Sequence, residues 1–132
     1  MSATLAITTG IAHLVMNGKS MANSRKQRGM ESEKLVAKYL TAHGFIVFET
    51  SASAAGTDII GMEGVDWEIK ARRGFDPAGV LRQLERRSRT TGLGIGVMRL
   101  NGQGEKALDD WCCIIRLADL VYLLKAAGYG QR

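Results

Sequence analysis

The sequence predicts an α/β fold, a mixed β-sheet flanked by helices, and three patterns along the chain predict it. Met30, Glu33, Val36, Ala37 and Leu40 recur at i, i+3, i+6, i+7 and i+10, which is one face of a helix. In VDWEIKA, Trp67, Ile69 and Ala71 alternate with Glu68 and Lys70, the two-residue period of a strand with one buried face. LGIGVMRL, residues 93–100, is apolar on both faces except for Arg99, as expected of a central strand covered on two sides. At 132 residues the chain has length for one core, so a single domain is expected.

Taken in order, residues 1–24 read as a flexible extension ahead of a domain spanning 25–132. The apolar patch from Leu5 to Met16 is interrupted by Thr8, Thr9, Gly10 and His13 and is too short to span a bilayer. It also lacks the basic lead-in and cleavage site of a secretory signal. The first helix is predicted over Gly29–His43, with Gly44 as its C-cap. FIVFET, residues 45–50, is rich in aromatic and branched residues and reads as a strand, followed by the small-residue loop SASAAG. A turn at Met62, Glu63 and Gly64 is expected to lay the strand after Asp58 beside the one carrying Glu68. Asp76 as N-cap and Pro77 at the first helical position open a basic helix that runs toward Gly92. Its inner stripe is read as Val80, Leu81, Leu84 and Ser88, flanked by Gln83 and Arg87, with Arg82, Arg86 and Arg89 outside. After the strand at 93–100, residues 101–110 form a polar turn and WCCIIR a further strand. Leu117, Leu120, Val121 and Leu124 mark a final amphipathic helix ending at Gly128. The adjacent Cys112 and Cys113 read as reduced, buried small hydrophobes, with neither metal-site spacing nor geometry for bridging each other.

Eighteen Lys and Arg against thirteen Asp and Glu give a net charge of +5, which favours a polyanionic partner such as nucleic acid. The cations cluster at Arg25, Lys26 and Arg28, at Lys70, Arg72 and Arg73, and along Arg82, Arg86, Arg87 and Arg89. Several are placed to track phosphates, the source of most sequence-independent affinity. Ser51 and Ser53, in the small-residue loop, leave room for a backbone phosphate beside Asp58.

The stretch GTDIIGMEGVDWEIKARR, residues 56–73, carries the densest chemistry. Asp58 precedes Glu68 by ten residues, and Glu68 and Lys70 share one face of a strand. Glu33 lies on the apolar stripe of the first helix, where a carboxylate costs free energy unless it is paired. Glu31, rotated by about 200° at 3.6 residues per turn, is expected to face solvent.

Together Glu33, Asp58, Glu68 and Lys70 resemble the signature of the PD-(D/E)XK nucleases, in which a helix-borne glutamate precedes an aspartate and then E-x-K on a hairpin. RKQRGMESEKLVAKYLTAHGFIVFETSASAAGTDIIG followed by WEIKARR is similar to the archaeal-type Holliday junction resolvases, over roughly Arg25 to Arg73. Thr57 stands where the motif's proline is usual. The resemblance implies a restriction-endonuclease-like fold and magnesium-dependent (manganese possible) cleavage of four-way DNA junctions. It also implies a homodimer that makes two symmetric cuts, with the final helix and Tyr129 available for the interface, and a cytoplasmic location, the host's if the chain is viral. Gln83 is a supporting residue by the same resemblance.

The residue types suit that chemistry. Magnesium prefers oxygen ligands and keeps several waters, so Asp58, Glu68, the Ile69 carbonyl and a scissile phosphate make a plausible set, with Glu33 holding a water or a second ion. Lys70 beside the metal orients the attacking water or offsets transition-state charge. Two other readings stay open: another nuclease of the same superfamily, restriction-like or acting in repair on duplex DNA, and an inactive nucleic-acid-binding module.

Overall fold

A computed structural model describes residues 17–50, 56–71, 76–88 and 92–130, with side chains from Gln27 onward except that of Ser88. It is a mixed α/β structure: α1 (Asn17–Ala42), β1 (Phe48–Glu49), β2 (Ile59–Ile60), β3 (Val65–Ala71), α2 (Pro77–Ser88), β4 (Leu93–Arg99), a 3₁₀ segment (Glu105–Asp110), β5 (Cys112–Ile114) and α3 (Leu117–Ala126). Among the described residues no helix is long and apolar enough to cross a membrane.

The strands form two small sheets. β3, β4 and β5 lie in that order, with β4 central, parallel to β3 and antiparallel to β5. β1 and β2 form a separate antiparallel pair. The alternation in β3 works as expected, because Trp67 and Ile69 enter a core with Val36, Ala37, Val47, Ile59, Val97 and Trp111. β4 sends Val97 into that same core and Met98 into a second one under α2, with Val80 and Leu84. The helix α2 comes close because β4 offers glycine where the two meet. A Cβ on Gly96 would collide with Val80 Cγ1.

Three expectations need correction. The strand β2 pairs with β1, through Phe48 opposite Ile60 and Glu49 opposite Ile59, and forms no ladder with β3. The chain does turn at 61–64, with the Val65 N–H on the Met62 carbonyl, but Gly61 at φ 101° folds β2 back against Ile46 and Val47, where a Cβ would meet the Ile46 carbonyl. The strand expected at 45–50 is reduced to Phe48–Glu49, and Phe45 and Ile46 are exposed. Third, Cys113 is exposed and Cys112 only half-buried, since β5 is an edge strand whose outer positions have no covering layer.

The first helix is longer than its apolar period, starting at Asn17 rather than Gly29. Residues 17–28 carry no apolar stripe from which periodicity could detect a helix. Residues 105–110, expected as a polar turn, wind into the 3₁₀ segment instead. That segment is tied to α1 by Lys38 with Glu105 at 3.3 Å and by the Tyr39 hydroxyl donating to Asp109 at 2.7 Å.

Candidate active site

The edge of β3 away from β4 is where Asp58 meets the strand that carries Glu68 and Lys70. On the side away from β4, the chain at 57–58 bonds to β3 mainly through its side chains. The Trp67 N–H donates to Thr57 Oγ1 at 2.8 Å, the Asp58 N–H to the Trp67 carbonyl at 2.8 Å, and the Ile69 N–H to Asp58 Oδ2 at 2.7 Å. Thr57 therefore has a structural task, standing in for a strand partner. A strand residue's N–H and C=O leave on the same edge, so the Ile69 carbonyl projects on the Asp58 side.

On the α2 face of β3, Asp66, Glu68 and Lys70 follow one another at two-residue spacing. Asp66 and Glu68 are buried, and both Glu68 oxygens are held by cations: Lys70 Nζ lies 2.7 Å from Oε1 and Arg87 Nη2 2.7 Å from Oε2. Arg87 also donates through Nε to Asp66 Oδ2 at 3.1 Å and through Nη1 to the Gly56 carbonyl at 2.7 Å. One guanidinium thus joins α2 to β3 and to the turn that leads into Asp58.

Asp58 and Glu33 lie on the less compensated side. Burial pushes the Asp58 carboxyl up to about 6, helped by the charge of Glu68 and opposed by the Ile69 N–H, Arg87 and Lys70. Partial burial raises Glu33 to about 7, with the charges of Asp58, Glu49 and Glu68 acting the same way and Lys70 against them. Glu33, Asp58, Glu68 and Lys70, expected together, are therefore electrostatic neighbours.

A raised carboxylate favours the protonated form in the folded state, so the folded chain holds more protons than the unfolded chain between the ordinary carboxylate range and about pH 7. The contribution of this pair to stability is full below that window and lost as pH rises through it. The doubly neutralised variant Asp58→Asn/Glu33→Gln should therefore gain on wild type between about pH 4.5 and about pH 7.5 in urea unfolding with EDTA. A difference between the two proteins that stays constant with pH contradicts this.

The chemistry of the donor set fits a hard divalent cation: carboxylate oxygens, a strand carbonyl and a negative balance on the Asp58 side. Among the described residues no three His, Cys, Asp or Glu side chains converge closely enough to hold one ion. The protein would thus contribute Asp58, Glu68 and the Ile69 carbonyl, leaving other positions to water and substrate, as magnesium prefers. Glu33 would stand near such an ion as a carboxylate able to hold one of those waters.

The predicted nucleic-acid contacts divide. Arg82 and Arg86 are exposed on α2 and, with Lys70, Gln83, Asp76 and Met98, line a cleft of about 270 Å³ that opens beside the E-x-K face. Gln83 belongs to this cleft wall. Arg28 is half-buried in α1. Ser51, Ser53, Arg72, Arg73 and Arg89, and the side chains of Arg25 and Lys26, lie outside the described residues. Glu31 is mostly exposed, as expected, with Arg99 Nη1 at 3.8 Å.

Asp66, Arg87 and Glu49 are site residues that pattern reading missed. Asp66 had a signal, being two residues before Glu68 on the same strand face. Arg87 had one too, because it stands seven residues after Val80 and three after Leu84, on the inner stripe of α2. Glu49 had none, since its placement depends on how β1 pairs.

No family model matches the chain, and no curated protein and no solved structure matches it either. The mixed α/β class and the geometry of the site stand on the chain's own residues.

Proposed function

We propose that this chain is a magnesium-dependent DNA endonuclease with a restriction-endonuclease-like fold, acting on four-way junctions. The observation that carries the reading is the convergence of Glu33 from α1, Asp58 from the turn before β2, and Glu68 and Lys70 from β3, which lie close enough to act on one another electrostatically. Beside them the cleft walled by Lys70, Arg82, Gln83 and Arg86 has the charge to hold a phosphate backbone.

Asp58, Glu68 and the Ile69 carbonyl would hold a divalent ion, which would supply Lewis acidity toward water and phosphate. Lys70 places a compact cation where charge builds on the phosphate oxygens. Glu33, titrating near neutrality, suits accepting a proton from the attacking water. Asp58 is held by the Ile69 N–H and Glu68 by Lys70 and Arg87, so both carboxylates are fixed before substrate arrives.

Support for a homodimer comes from α3. Leu117, Leu120, Val121, Tyr122, Leu123 and Leu124 are all exposed, an apolar helix without a covering layer among the described residues. Sedimentation of the purified chain should give twice its monomer mass, and a monomer at assay concentration removes the dimer. The experiment on substrate compares a four-way junction with a linear duplex of the same arms in Mg²⁺. Preferential cleavage of the junction is expected, whereas equal rates on both move the assignment to a nuclease of ordinary duplex DNA.

A further inference from the structure

We infer that Arg99 is a positioning residue for Glu33: by anchoring the turn of α1 just before Glu33 to the end of β4, it holds that carboxylate at the site. The inference rests on the nuclease reading above, in which Glu33 accepts a proton from the attacking water. It starts from the one charge in an otherwise apolar central strand. Arg99 closes β4 opposite Ala71, one rung past Lys70, and its side chain is only 14 % exposed. Burying a guanidinium is costly unless its donors are used. Among the described residues the carboxylate in reach is Glu31 at 3.8 Å, itself mostly exposed, so ion pairing does little to hold Arg99 in place. Its other contacts do more. Nε donates to the Gln103 carbonyl at 2.7 Å, Nη1 donates to Ser32 Oγ at 3.3 Å, and the guanidinium carbon lies 5.5 Å from the ring centre of Trp111. Trp111 is buried in the core with Val36 and donates through Nε1 to the Gly104 carbonyl at 3.2 Å, so Arg99 is seated on a fixed wall.

Ser32 is where α1 meets that wall. It is the only buried residue from Gln27 to Glu33, with no exposed surface, while Met30 and Glu31 are exposed. Its hydroxyl donates to the Arg28 carbonyl at 2.8 Å, which leaves a lone pair for Arg99. The next buried anchors of the helix, Val36 and Ala37, come a turn after Glu33. Glu33 is thus held from both sides, by Ser32 on Arg99 before it and by the core after it. Residues 17–28 carry no apolar stripe to hold them down, so without the Arg99 bond local opening of that part of α1 passes through Glu33.

The test pairs amide hydrogen exchange with cleavage kinetics on the full chain, comparing wild type, Arg99→Gln, Glu33→Gln and the double variant. In Arg99→Gln the amides of residues 29–34 should exchange about 10-fold faster than in wild type, the loss of a charge-assisted hydrogen bond, while those of 37–42 keep wild-type rates. Junction cleavage in Mg²⁺ should lose about 10-fold in kcat with KM unchanged, since misplacing a reacting group costs rate rather than affinity. Glu33→Gln should lose about 100-fold, and adding Arg99→Gln should cost nothing more, because no carboxylate is then left to place. A double variant slowed by the product of the two losses overturns the inference. So does a folded Arg99→Gln protein with wild-type exchange at 29–34, or with exchange raised evenly along α1. Should Arg99→Gln not fold, Ser32→Ala, which removes only the acceptor, decides by the same two readouts. Absence of cleavage by wild type is a different failure: it removes the nuclease reading, and the exchange measurement then decides alone whether Arg99 anchors the turn before Glu33.

Discussion

Asp58→Asn and Glu68→Gln are each expected to lower Mg²⁺-dependent junction cleavage by about 10³-fold while leaving junction binding largely intact. The size follows from what each carboxylate does. Neutralising an anionic ligand removes several kcal/mol of charge stabilisation, and each 1.36 kcal/mol is about tenfold in rate. On the proposed function, affinity for DNA would come from cationic side chains such as Arg82 and Arg86 of the cleft, which neither change touches, so binding is expected to survive. The two variants should differ in stability. Asp58→Asn relieves a carboxyl that burial already pushes up to about 6, so it folds at least as well as wild type near neutral pH. Glu68→Gln leaves Lys70 and Arg87 with one anion fewer between them and should melt lower. Cleavage rates on a labelled junction, with a gel-shift measurement in Ca²⁺ for binding, check both. Undiminished cleavage by either variant contradicts the site.

Arg87→Ala is expected to be the most damaging single change to the fold, by about 3 kcal/mol, because removing one member of a buried ionic cluster leaves buried negative charge less compensated. It takes from Asp66 and Glu68 the guanidinium they share, with Lys70 remaining on Glu68, and opens the Gly56 carbonyl at once. Arg86→Ala, one position earlier on an exposed part of the same helix, controls for helix propensity and should change stability by less than about 0.5 kcal/mol. Urea unfolding of the two variants makes the comparison, and equal midpoints contradict the account of Arg87. In the double variant Asp66→Asn/Arg87→Ala part of the loss should return, since one of the carboxylates that Arg87 compensates is then neutral.

How far the residues themselves revealed this arrangement depends on which physical signal each carries. Val36, Ala37 and Leu40 reveal α1 because a half-buried helix must repeat its apolar positions every three to four residues, and the same period places Glu33 toward the site. Trp67 and Ile69 reveal the buried face of β3, and LGIGVMR reveals the central strand, because burial on one or two faces leaves a direct imprint on the pattern. Pairing leaves no such imprint. Ile59 and Ile60 are apolar whether their partner is β1 or β3, and the choice is made by Gly61, whose positive φ and missing Cβ let the chain fold back on Val47. The pattern sets Arg87 beside the inner stripe of α2, but the carboxylates it meets there depend on how α2 packs on β3, which the pattern does not carry. The final helix shows the limit on the other side. LADLVYLLKA is apolar enough to be noticed, but periodicity identifies an apolar face without identifying what covers it, and in the described chain nothing does.

The most direct measurement of the central claim is strand scission of an end-labelled four-way junction by the purified full chain, with Mg²⁺ and with EDTA. Symmetric paired cuts in Mg²⁺ and none in EDTA are the expected result. Intact junction in both Mg²⁺ and Mn²⁺, or equal scission with the chelator present, contradicts it.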